Sequence, residues 1–156
     1  MIGFFPAPYP DELWYSVICR YHIHSGNSCA KHTLRQLYGD NFSAPSLMLC
    51  GSVNTLLTQL PQGFLSAKNI VMQHTFYPYY ARFFPTQRKR STYAYVVNGN
   101  PLAVHRMGIS QANRNHCSVM RYCPVCCQED LQLYGEPYWH RSHQLPDIAM
   151  PFSLIP

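Results

Sequence analysis

Acidic residues are scarce in this chain, and they are unevenly placed. Of 156 residues, seven are Asp or Glu, and none lies between Asp40 and Glu129. Across that gap run Lys68, Arg82, Arg88, Lys89, Arg90, Arg106, Arg114 and Arg121, with no carboxylate among them. The few acids form no evident inward-facing pair for acid–base catalysis. A nuclease core, which needs three carboxylates around magnesium, has no place in an acid-free middle. Neither a Gly-x-Ser-x-Gly elbow nor a phosphate-cradling glycine loop is present. No run of about 18 apolar residues occurs, so no membrane span is expected. Met1 to Pro10 has neither the basic nor the apolar part of a secretory signal, and the chain reads as cytoplasmic. Internal repeats and low-complexity tracts are missing too.

What is there suits a folded core. The chain is 47% apolar and 14% aromatic, enough for one domain or for a helical domain with a small metal appendage. Seven cysteines without a secretory context point to reduced thiols and metal binding rather than a disulfide framework. The net charge of +5, concentrated where acids are missing, makes a polyanion the natural partner, nucleic acid above all. A solvated basic surface is the plainer reading of the same charge.

Helical patterns dominate, so the fold class expected is mainly α. Pro6, Pro8 and Pro10 make an extended lead-in, and Asp11 is expected to cap the helix that follows. Leu13, Trp14, Val17, Ile18 and Tyr21 form one apolar face, ending at Gly26. A second short helix from Asn27 or Ser28 turns Leu34, Leu37 and Tyr38 inward, and Lys31, His32, Thr33, Arg35 and Gln36 outward. The pair is either a helix-turn-helix or an ordinary helical hairpin. Pro45 is expected to open a helix through Leu49, Val53, Leu56 and Leu60. Ser66 should cap another, through Ile70, Val71 and a core His74. The aromatic stretch from Thr75 to Phe84 reads as a core plug, or as a platform on which unpaired bases stack beside Arg82. Thr86 to Asn98 and Pro101 to Gly108 give two more helices. Candidate DNA contacts are Lys31, Arg35, Arg82, Arg88, Lys89, Arg90, Arg114 and Arg121.

Cys123-Pro124-Val125-Cys126 carries the metal chemistry. Two cysteines at this spacing form a turn whose thiolates converge on one point, as tetrahedral zinc requires. The same spacing serves thiol–disulfide exchange, but redox sites of that kind follow a strand in an α/β pattern, which is absent here. His140 and His143 are candidates for the second ligand pair, with Cys127, His116 and Cys117 in reserve. Were they helical, the two histidines would share a face; extended, they point apart. Glu136-Pro137 favours the extended case, so at most one of them is expected to reach the metal.

The run Tyr122-Cys123-Pro124-x-Cys126, then Gly135-Glu136-x-Tyr138-Trp139-His140-Arg141-x-His143-Gln144-Leu145-Pro146, resembles the zinc-binding segment of the TniQ/TnsD family. Those proteins are target-site selectors of cut-and-paste DNA transposons. The resemblance extends to Phe5-Pro6-x-Pro8-Tyr9-Pro10-Asp11-Glu12-Leu13, and to His74-Thr75 with the aromatic-Pro-aromatic segment after it. It implies a helical domain with a helix-turn-helix over residues 1–115 and a zinc knuckle over 116–156. It also implies double-stranded DNA and an AAA+ transposition ATPase, TnsC-like, as partners, and no catalysis. In the family a Cys-Pro-x-His follows the Trp-containing stretch; here residues 144–156 hold neither Cys nor His. The zinc segment is therefore expected to be truncated.

Overall fold

Three prolines between residues 6 and 10 fix φ and remove backbone donors, and the lead-in runs extended as they require. The structure is a computed structural model that describes residues 2–40, 45, 48–109, 119–145 and 153–154. Helix α1 (Trp14–Ser25) buries Leu13, Trp14, Val17, Ile18 and Tyr21 and ends at Gly26, whose φ of 69° allows its N–H to reach the Ile23 carbonyl. After a four-residue turn comes α2 (Ala30–Tyr38), with Leu37 and Tyr38 inside. Thr33 is inside as well, against expectation, because its hydroxyl pairs with His22 Nδ1 at 2.7 Å and with Asn27.

Helix α3 (Val53–Gln59) begins well after Pro45, and Met48 to Gly51 are not helical. The cause is a close backbone crossing. Ser52 bridges Asn98, and a Cβ on Gly99 would sit 2.6 Å from the Gly51 carbonyl carbon. Gly51 takes a φ of 71°, through which no helix continues, and the missing Cβ of Gly99 lets residues 98–99 approach it. Ser66 caps α4 (Ala67–His74) by accepting from the Asn69 N–H at 3.1 Å, as expected. Short α5 (Tyr77–Ala81), α6 (Thr86–Val97) and α7 (Leu102–Arg106) complete the bundle.

Trp14, Leu37, Leu56, Ile70, Val71, Phe76 and Val96 are almost wholly buried in one core. Burying each such side chain contributes on the order of 1.5–3 kcal/mol. Trp14 Nε1 donates to Tyr38 Oη at 3.2 Å, which donates to the Cys50 carbonyl at 3.0 Å, so the polar atoms of two core aromatics are satisfied. Phe76 and Tyr77 lie in this core, in line with the plug reading of the aromatic stretch.

Strand β1 (Arg121–Tyr122) pairs antiparallel with β2 (Ser153–Leu154), followed in the chain by α8 (Pro124–Tyr134) and a 3₁₀ turn, Ser142–Gln144. This C-terminal segment is bolted to the lead-in. Leu13 N–H donates to the Trp139 carbonyl at 2.8 Å, and Arg141 N–H to the Asp11 carbonyl at 2.7 Å. Asp11 does not cap α1. At a φ of 55°, its carboxylate takes Arg141 Nε at 3.1 Å and the Ser142 N–H at 2.9 Å, so it anchors the distant 3₁₀ turn instead. Among the described residues no helix is long and apolar enough to cross a membrane.

Candidate functional site

The thiol pair sits at the start of a helix rather than in a free-standing knuckle. Cys123 is the N-cap of α8, Pro124 its first residue, and Cys126 lies within the first turn. The Cys126 N–H aims at the Cys123 sulfur and, against the opposing effect of burial, holds that thiol below its usual value; the Val125 N–H and the Cys126 thiol add to this. Cys126 moves the other way, pushed up to about 11 by burial and by the neighbouring sulfur. Of the two thiols, Cys123 is therefore the readier to lose its proton. Two sulfurs so placed fit two corners of a zinc tetrahedron.

The histidines behave unexpectedly. The 3₁₀ turn brings the His140 and His143 rings into a stack, with centroids 4.6 Å apart and 27° between planes, where an extended segment would have pointed them apart. His140 Nε2 lies 2.9 Å from Asp130 Oδ2, and His143 is buried, its pKa lowered by that burial and by His140. Among the described residues, no three His, Cys, Asp or Glu side chains come together to hold a metal. Cys123 and Cys126 thus lie together, and among the described residues neither His140 nor His143 joins them in a metal-sized group. His116 and Cys117 lie outside the described residues.

The basic residues separate into two groups. Arg88 lies over the Phe84 ring at 4.1 Å and donates to the Arg106 carbonyl at 2.8 Å. Arg106 in turn lies over Tyr95 at 4.3 Å. Arg121 is a clamp: its guanidinium donates to the Leu145 carbonyl, and its N–H to Gln144 Oε1. These three are engaged within the fold. Lys68, Arg82 and Lys89 instead converge around a cavity between α4, α5 and α6, with Arg90 exposed on the same helix as Lys89. On α2, Lys31 is exposed, and Arg35 lies 2.7 Å from Asp40 with both side chains well solvated, a weak pairing. Arg114 lies outside the described residues. Lys68 was missed as a candidate because nothing in its own helix marks it; folding α4 beside α6 brings it to Lys89.

A small, mainly helical unit with a Cys-x-x-Cys pair at a helix start and a basic face that meets no acid among the described residues is the class defined by these features. The chain belongs to the TniQ family, which matches it over residues 3–150. It is also similar to the Transposon Tn7 transposition protein TnsD of Escherichia coli, 31% identical over 150 residues. That alignment takes in 95% of this chain and 29% of TnsD, so the chain spans less than a third of this relative's length.

Proposed function

We propose that this chain selects target sites for a cut-and-paste transposon, binding double-stranded DNA and recruiting an AAA+ transposition ATPase of the TnsC type. The observation that carries the reading is its likeness, over nearly its whole length, to a protein named for transposition. The cations of the α4, α5 and α6 face, which meet no acid among the described residues, support the DNA half of it. Lys68, Arg82, Lys89 and Arg90 neutralise phosphates, and α1 with α2 acts as the helix-turn-helix, presenting Lys31 and Arg35. No residue has a catalytic role, and the setting is the bacterial cytoplasm, on the nucleoid. Zinc, held by Cys123 and Cys126, pins the start of α8 to whatever segment supplies the remaining donors.

Fluorescence titration of labelled duplex at several salt concentrations tests the DNA reading: affinity should fall steeply as salt rises, because bound counterions are released. Absent or salt-insensitive binding overturns it. A protein-only adaptor that contacts the ATPase without DNA is the second reading, favoured by the engagement of Arg88, Arg106 and Arg121 with neighbouring rings and carbonyls. Capture of the ATPase without any DNA binding selects it. For zinc, elemental analysis should find partial occupancy that is lost in Cys123→Ser, with the helical core still folded. A native chain free of zinc after reducing, metal-replete purification ends the zinc assignment.

A further inference from the structure

Resting on the DNA-binding reading, we propose that the cavity between α4, α5 and α6 takes an unpaired base from locally opened DNA. Its volume is about 610 Å³, within the range of about 300–1,000 Å³ typical of ligand sites. The walls are Met72, Tyr77 and Tyr93, with Lys68, Arg82 and Lys89 also lining it. Tyr77 Oη donates to the Lys89 carbonyl at 2.9 Å, so its hydroxyl is already used and its ring serves as wall.

The chemistry of the lining narrows the occupant. No Asp or Glu lines the cavity, so a phosphate chain meets only attraction there. No Asn, Gln, Ser or Thr lines it either, so no side-chain amide or aliphatic hydroxyl reads a base edge. Aromatic surface beside cations, with no amide or aliphatic hydroxyl, is the pattern of sequence-tolerant base stacking. Phe83 extends it: 88% exposed, with the Arg82 guanidinium 5.6 Å from its ring, it offers a neighbouring base a second face. An extended acidic peptide fits less well, because such a segment binds best along an open sheet edge and this cavity is walled by helices.

The test uses the full chain and three probes: a short labelled duplex, the same duplex with a small unpaired bubble, and the peptide Glu-Asp-Phe-Asp-Glu. Anisotropy should show the bubble bound about tenfold more tightly than the duplex, the scale expected of one stacked base. Tyr93→Leu should bring that preference close to unity, and Tyr93→Phe should keep it. Should Tyr93→Leu fail to fold, Met72→Glu, at a position already 40% exposed, places a carboxylate in the cavity and must abolish the preference. The methyl resonance of Met72 should shift with the bubble and stay in place with the duplex. Equal affinity for bubble and duplex overturns this proposal and leaves the DNA reading standing. A Met72 shift with the peptide but not the bubble assigns the cavity to an acidic protein segment. Failure of both DNAs to bind removes the DNA reading and this one with it.

Discussion

Where the lead-in meets the C-terminal segment, each acid has a basic side chain within 3.1 Å: Glu12 and Glu136 hold Arg20, Asp11 holds Arg141, and Asp130 holds His140. On the face built by α4, α5 and α6, Lys68, Arg82, Lys89 and Arg90 meet no acid among the described residues. The contrast follows from burial. Glu12 is fully buried and Arg20 nearly so, and charges taken out of water persist only when paired and hydrogen-bonded. Cations left in water need no partner. With seven acids in the chain and four of them at the seam, little remains to neutralise the other face.

Breaking the seam should have the largest effect. Arg20 pairs with Glu12 at 2.9 Å and Glu136 at 2.8 Å, and its guanidinium lies 3.6 Å from the Tyr9 ring centre. Arg20→Met leaves Glu12 buried without its cation, which should cost about 3–5 kcal/mol in urea unfolding. A loss under about 1 kcal/mol would show that the seam is solvated and the comparison overdrawn.

Next in size is the bare face. Replacing Arg82, Lys89 and Arg90 together with Ala should lower the slope of log affinity against log salt by about 2–3, near 0.9 for each phosphate no longer neutralised. Stability should hardly change. An unaltered slope would mean that this face is not where DNA binds.

A smaller effect separates the acids within the seam. Burial would raise Glu136, but hydrogen bonds from Arg20, His24 and Tyr9 outweigh it and hold its carboxyl below the usual range. Its stabilising contribution is therefore full above the ordinary carboxylate value of about 4.3 and is lost as pH falls through the depressed one. Glu12 works the other way, since burial raises it. Glu136→Gln should thus flatten the acid-side loss of stability seen by urea titration between neutral and acid pH. A wild-type curve with no such loss, or an unchanged slope in the variant, would contradict the assignment.

The smallest change sharpens the line between the two groups of cations. Arg88→Ala removes a cation–ring contact and a hydrogen bond from α6 to the last residue of α7, costing about 0.5–1 kcal/mol of stability. The salt slope of DNA binding should stay near that of the wild type. A slope lowered by about 0.9, one phosphate's worth, would return Arg88 to the DNA-binding set.

By itself the sequence determined what acts over a few residues. Leu13 to Tyr21 at helical spacing, Gly26 as a stop and Ser66 as a cap each appear where expected, because those signals act within one or two turns. The acid gap and the Cys123–Cys126 spacing were equally plain, being facts of order along the chain. Tertiary structure decided the rest. Asp11 looked like a helix cap until Arg141 and Ser142, about 130 positions away, claimed its carboxylate. Thr33 turned inward for His22, Gly51 kept α3 short so that Gly99 could pass, and a 3₁₀ turn stacked two histidines expected to diverge. Whether a cation is bare or engaged was undecidable from its neighbours in sequence. Arg88, Lys89 and Arg90 are consecutive, yet the first lies on Phe84 and Arg106, the second lines a cavity and the third is exposed. Successive helical residues point about 100° apart, so what each meets is set by the elements packed around the helix.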